Sequence, residues 1–182
     1  MRVVVVYESM FGNTRQIGQA IADGIGPLHE VVVIPVRDAN PEVISGADVV
    51  VVGGPTHVHG MSRPASRTSA GEIARKPPSG VALEPGAEGP GLREWFARCG
   101  VIEGYAAAFD TRAHGPSILT GRASKRIHRL LRRHGARQVC PPESFFVTKD
   151  NALAPGEIDR ARRWGEHLSH VATEPARTEF PV

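Results

Sequence analysis

Cysteine is scarce in this chain of 182 residues: Cys99 and Cys140 are the only two. Two cysteines are too few for a disulfide framework or a zinc or iron–sulfur site, and both read as small buried hydrophobes. Long apolar runs are missing too; nothing approaches the roughly 18 consecutive apolar residues of a membrane helix. One basic residue precedes the run Val3–Tyr7 and no cleavage site follows it, so no signal peptide is read and a cytoplasmic, soluble protein is expected. Lysine is nearly absent, 19 of the 22 basic residues being Arg. Beside abundant Ala, Gly and Pro, that bias reflects GC-rich coding rather than a functional demand.

What is present is an ordinary globular composition, 41% hydrophobic and 23% charged, which argues against wholesale disorder. The net charge of +3 (22 − 19) favours anionic partners only mildly. The chain alternates strand and helix from its start. Arg2–Val6 is a β-branched run of the kind buried on both faces of a parallel sheet. Asn13–Ile25 has helical spacing and stops at Gly26-Pro27. Glu30–Val36 is a second strand, placed at an edge by Pro35; Pro41–Ile44 is a short helix; Ala47–Val52 is a third strand ending at Gly53-Gly54-Pro55. Residues 60–90 break the rhythm with Pro64, Pro77, Pro78, Pro85 and Pro90. They predict a helix over Ser62–Arg75 capped by Ser62, then an irregular, lid-like stretch over Pro77–Gly89. Gly91–Cys99 forms a helix burying Leu92, Trp95 and Phe96. Gly104–Phe109 is a fourth strand, Pro116–His134 a long helix, Gln138–Thr148 a fifth strand interrupted at Pro141-Pro142, and Pro155–Val171 a last helix. The expectation is an α/β fold: one doubly wound five-stranded parallel sheet forming a single domain over 1–171, with a flexible tail over 172–182.

Ligands of such sheets bind outside the C-terminal strand ends, which singles out residues 8–14, 53–62, 110–116 and 149–154. The first loop, Glu8-Ser9-Met10-Phe11-Gly12-Asn13-Thr14, joins a buried strand to a helix N-terminus. Converging backbone N–H groups, the helix dipole and the side chains of Ser9, Asn13 and Thr14 suit a phosphate, although ordinary N-capping by Ser9 or Asn13 is equally compatible. The patterns GxxxxGK[ST] and GxGxxG are both absent. The second loop, Pro55-Thr56-His57-Val58-His59-Gly60-Met61, is a rigid frame able to hold the edge of a planar ring. His57 and His59 invite a metal, but no carboxylate or cysteine lies beside them, so none is assigned. In the third loop, Thr111, Arg112, His114 and Gly115 face the same crevice, and Arg112 or His114 could neutralise an anion. A response regulator would need Asp where Gly53-Gly54 stand, and a low-molecular-weight phosphatase would need Cys after the first strand.

The three loops together resemble those of flavodoxin-like proteins. Ser9, Gly12, Asn13 and Thr14 match the flavodoxin phosphate loop, while Met10 and Phe11 stand where hydroxyl residues are usual. Ser-Met-Phe-Gly-Asn-Thr, Gly54-Pro55-Thr56 with Gly60-Met61, and His114-Gly115 look like the corresponding loops of WrbA-type quinone reductases and of flavodoxin domains in larger flavoproteins. The resemblance implies strand order 2-1-3-4-5 and an FMN cofactor, with Ser9–Thr14 around the phosphate and Pro55–Gly60 with Thr111–Gly115 around the ring. It implies an oxidoreductase passing electrons or hydride to a small acceptor such as a quinone. The alternatives are a one-electron carrier serving a redox partner protein and a flavin-free binding module. No aromatic clamp of Trp or Tyr stands in the ring loops, which implies weaker FMN binding than in carrier flavodoxins. Oligomerisation is left open. On the long helix, Arg122, Lys125, Arg126, Arg129, Arg132 and Arg133 form a basic stripe; without interleaved aromatics it reads as a solvated face, and nucleic acid is disfavoured.

Overall fold

The computed structural model describes residues 1–57, 59–76 and 82–173. In chain order the elements are β1 (Arg2–Tyr7), α1 (Asn13–Ile25), β2 (Glu30–Pro35), α2 (Pro41–Ile44), β3 (Val49–His57), β4 (Gly60–Met61), α3 (Pro64–Arg75), α4 (Leu92–Phe96), β5 (Tyr105–Ala113), α5 (Ser117–Thr120), α6 (Ala123–Arg133), β6 (Arg137–Gln138), β7 (Glu143–Val147) and α7 (Glu157–Thr173). The parallel sheet runs β2-β1-β3-β5, and both β6 and β7 pair with β5. This is the expected order 2-1-3-4-5, the fifth position being split in two around Pro141-Pro142, which can donate no ladder hydrogen bond. The two-residue β4 adds an antiparallel hairpin to the end of β3.

Because side chains alternate across a strand, the valines of β1 feed two cores. Val4 and Val6 join Val50, Val52, Ala106 and Ala108 under α4 and α6, with Leu92, Trp95, Ile127 and Leu131. Val3 and Val5 join Val51, Ala107 and Phe109 under α1 and α7, with Ile17, Ile21, Ala161 and Leu168. The α1–α7 pair is close because each helix offers a glycine. A Cβ on Gly24 would lie 1.9 Å from the Arg162 carbonyl oxygen, and one on Gly165 would lie 2.1 Å from that of Ile21.

Four local expectations change. First, β3 does not stop at Gly53-Gly54-Pro55 but runs on to His57. The glycines serve packing: a Cβ on Gly53 would lie 2.1 Å from the Phe109 ring, and one on Gly54 would lie 2.7 Å from Leu92. Pro55 is tolerated because the pairing of β1 with β3 has ended at Tyr7 and Gly53, so its missing N–H faces no strand. Second, β5 extends through Asp110, Thr111 and Arg112 instead of ending at Phe109, since β7 pairs with it from Phe109 to Ala113. Third, the helix expected over 116–134 is broken at Gly121, whose φ is 76° and whose Cβ position lies 2.2 Å from the His59 Cα. Fourth, Ser62 does not cap α3. The Ser66 hydroxyl accepts from the Arg63 N–H instead, and Ser62 turns inward to donate to Glu8. The last helix continues to Thr173, and 174–182, the rest of the expected tail, lie outside the described residues, as do 77–81 within the lid-like stretch.

Candidate functional site

Gly12 sets the first loop. Its φ of 88° is left-handed, and its N–H donates to the Ser9 hydroxyl at 3.1 Å. It is also the N-cap of α1, and no side chain caps that helix, so the first-turn amides open toward the strand ends with their share of the helix dipole. Beside them lies a cavity of about 210 Å³ lined by Ser9, Met10, Phe11, Asn13 and Thr14 from this loop, Pro55, Thr56 and His57 from β3, and Thr111, Arg112 and Ala113 from β5. Val147 and Asn151 complete the wall. The three strand-end segments therefore meet in one place.

The polar side chains are already organised. The hydroxyls of Thr14 and Thr111 bond each other at 2.7 Å, tying α1 to β5. The Asn13 amide donates to the backbone and side-chain oxygens of Asn151, whose φ of 56° is left-handed. Asp110, fully buried, accepts from the Thr56 hydroxyl at 3.1 Å and from the Ser124 N–H at 2.8 Å, so it fastens the start of α6 to the site. Arg112 is 8% exposed; one terminal nitrogen donates to the Gly115 carbonyl and the Thr120 hydroxyl, and the guanidinium lies 4.9 Å over the Phe146 ring. Its Nε is buried with no partner. A buried donor left unpaired costs free energy.

His57 is half-buried at the cavity edge. Burial lowers its pKa; Glu8 acts to raise it and Arg67 to lower it further. The imidazole is therefore neutral at neutral pH, with one ring nitrogen able to donate and the other to accept. His59 is exposed and has a φ of 68°, so among the described residues of that turn it, and not Gly60, is left-handed. His59 and Gly60 line an adjoining, larger groove that shares Phe11 and His57 with the cavity. Val58 lies outside the described residues. His114 is exposed and stands edge-on to Phe146 at 5.0 Å, outside both cavities, and Gly115 contributes its carbonyl to Arg112. Among the described residues no three His, Cys, Asp or Glu gather as a metal site. Both thiols are pushed up to about 11, by burial first; Cys99 is buried and Cys140 half-buried.

A buried polar chain that the sequence does not announce holds the 60–90 segment to this site. Glu8, at the end of β1, accepts from the Ser62 hydroxyl and from the Leu92 N–H at 2.7 Å. Arg67, 2% exposed, donates to Ser62 at 3.0 Å and pairs with Glu94 at 3.2 Å. Further on, the Glu84 N–H donates to the Met10 carbonyl and its carboxylate pairs with Arg15 at 3.0 Å, beside Gly12. Residue spacing gives no sign of these pairings; only the strand-end position of Glu8 does.

No protein-family model matches the chain, and no curated protein is significantly similar to it. Solved structures are similar over nearly its whole length. A flavodoxin from the domain Archaea superposes with a TM-score of 0.65 at 19% identity, over 94% of this chain and 99% of that one. The oxidised flavodoxin 1 of Bacillus cereus gives 0.66 at 16% identity, over 93% and 98%. A WrbA-like flavodoxin from Agrobacterium tumefaciens gives 0.55 at 19% identity, over 94% and 96%. With the strand order and the strand-end cavity, these likenesses identify the fold of this chain as flavodoxin-like.

Proposed function

We propose that the chain binds FMN at the C-terminal edge of its sheet and serves an oxidoreductase reaction in which electrons reach a small acceptor such as a quinone. The observation that carries this is the uncapped N-terminus of α1 beside a cavity lined by Asn13, Thr14 and Arg112, the last with its Nε buried and unpaired. Amides at a helix end and a buried guanidinium suit a phosphate dianion. The Ser9 hydroxyl, which accepts from the Gly12 N–H, keeps its own proton to donate. The Thr14–Thr111 pair likewise keeps one hydroxyl proton to offer. Beyond the phosphate end, Phe11 and His57 stand where the cavity joins the larger groove, a passage for a planar ring between an aromatic face and a neutral imidazole. FMN, when bound, supplies the one- or two-electron chemistry. The protein orients it, and His57 can hold or return a proton at a ring nitrogen. The carboxylate of Glu84 beside Gly12 favours a second reading, a flavin-free module, since it adds negative charge next to the phosphate seat. An FMN titration followed by absorbance and calorimetry separates the two: stoichiometric binding is expected, and no binding would leave the flavin-free module. Reduction of a quinone by NADH or NADPH with the loaded protein then separates a reductase from a carrier.

A further inference from the structure

Beside the proposed flavin site lies a groove of about 890 Å³ between α3, the β3–β4 turn and α6. Its apolar walls are Phe11, Met61, Ala70 and Ile73, and Ile73 is 63% exposed, a large hydrophobe without a cover. Five arginines line it, Arg63, Arg93, Arg122, Arg126 and Arg129, and no acidic residue does; the Arg122 guanidinium is held by Ser124, Ser144 and the Pro142 carbonyl, outside the groove. Among the described residues none of the five forms an ion pair, whereas Arg2, Arg15, Arg37, Arg67, Arg75, Arg160 and Arg162 all do. Arg93 donates to the Met61 and Ser62 carbonyls, which fixes it in place. Burial first, and then Arg126 and Arg63, lower its pKa, while Glu94 and Glu8 act to raise it. Three of the five belong to α6 or its N-cap at spacings 122, 126 and 129, one helix face, so half of the basic stripe lines the groove.

We infer that this groove binds a small amphipathic oxyanion, a molecule with a flat or aliphatic apolar body and a carboxylate or phosphate group held by arginines that have no ion-pair partner, Arg126 and Arg129 first. The volume is that of a small-molecule site, and the combination of apolar floor and cationic rim recognises body and charge separately. A nucleic acid strand would need stacking platforms along a continuous groove, and here Phe11 alone is aromatic besides the two histidines. Because Phe11 and His57 also wall the neighbouring cavity, a ligand in the groove abuts the proposed flavin site. Its role as the acceptor rests on the proposed function; its binding does not.

The test uses three ligands with one ring system: 2-naphthoate, 2-naphthyl phosphate and uncharged 2-naphthol. Binding is followed by calorimetry and by the probes' own fluorescence, on the purified protein with and without added FMN. Both anions are expected to bind at least about tenfold more tightly than naphthol and to weaken as salt is raised. Whichever anion binds more tightly identifies the natural ligand as a carboxylate or a phosphate. The double variant Arg126→Ala/Arg129→Ala, exposed positions that leave the core intact, is expected to lose about tenfold for the anions and to leave naphthol unchanged. Ile73→Ser is expected to weaken all three. Equal binding of charged and neutral probes, or indifference to the arginine pair, would overturn the inference even if FMN binds elsewhere. Displacement of naphthoate by FMN, with equal loss of FMN affinity in the double variant, would overturn it too, as would tighter binding of a single-stranded oligonucleotide at the same arginines. Anion binding by a protein that takes up no FMN would uphold the groove and defeat the flavin reading.

Discussion

Gly12 shapes the loop of the proposed phosphate seat through its left-handed backbone. A valine there would have to adopt a φ of 88°, and its Cβ would lie 3.1 Å from the Glu84 carboxylate. Gly12→Val is therefore expected to abolish FMN binding while circular dichroism still reports a folded α/β protein; unchanged affinity would remove the phosphate assignment. Thr14→Ala takes one hydroxyl from the Thr14–Thr111 pair and should weaken FMN more modestly, by about 1.5–3 kcal/mol for one hydrogen bond to a charged group. His57 gives a pH prediction. Its native pKa lies below the ordinary 6.5, through burial first, so the unfolded chain takes up the proton at a higher pH than the folded one. The contribution of neutral His57 to stability is full above 6.5 and is lost as pH falls through the lower native value. His128, lowered by burial and by Arg132, acts in the same direction. Thermal denaturation between neutral pH and pH 5 should show a falling Tm, and His57→Gln should flatten that fall to the share of His128. A parallel decline in both proteins would show that His57 contributes nothing to it.

At the scale of elements, Ser62, Arg67 and the start of α4 are joined to the end of β1 by buried polar bonds, in addition to the apolar packing of Leu92 in the core. Glu8→Ala would leave the Ser62 hydroxyl and the Leu92 N–H without their acceptor, at a cost of about 1–3 kcal/mol, to be read as a lower urea midpoint with faster hydrogen exchange in α4. Limited proteolysis is expected to cut first between Pro77 and Gly91. FMN should slow it, because Glu84 ties this segment to Met10 and Arg15 beside Gly12, and Glu84→Ala should speed it. Cleavage elsewhere, or at a rate indifferent to both, would remove any lid role. The same elements show what could be read from the chain beforehand. The β-branched runs, the helical spacing of Ile17 and Ile21 and the Gly-Pro stops fix the alternation and, with it, the strand-end address of the site. The polar residues Asp110, Thr111 and Arg112 look like a loop, because the β7 partner and the acceptors that satisfy them lie elsewhere in sequence. Gly121 breaks a helix only because the His59 backbone crosses it. Asn151 joins the cavity from the segment 149–154, flagged only by the strand-end rule, Val147 joins it from the end of β7, and Phe11, placed by motif on a phosphate loop, turns out to wall the groove as well.

For the whole molecule, charge and aromatic content bear on how the bound flavin would be reduced. Carrier flavodoxins, which this fold resembles, clamp the ring between aromatic side chains and are strongly acidic. Here Trp95 is buried in the core as part of α4, Trp164 packs on Phe109 and Phe145, Tyr105 is covered by Arg137, and among the described residues Phe11 is the aromatic side chain that lines the cavity besides His57. Each missing stacking partner forfeits about 0.5–1.5 kcal/mol, up to roughly tenfold in affinity, and the protein should purify partly empty of FMN. Charge acts on the second electron. Fully reduced flavin is an anion, and an acidic surround disfavours it, which separates the two one-electron steps. In this chain the net charge is +3, Arg112 lines the cavity and five arginines without an ion-pair partner line the neighbouring groove; the buried Glu8 and Asp110, and Glu84 beside Gly12, are the carboxylates set against them. The balance should draw the two steps together, so that stepwise photoreduction bleaches the flavin with one set of isosbestic points. Raising the salt should separate the steps slightly by screening the rim, and Arg126→Ala/Arg129→Ala should do the same at low salt. A strong long-wavelength band dominating the middle of the titration would mean that the second step is penalised despite these charges, and the protein would then be a one-electron carrier.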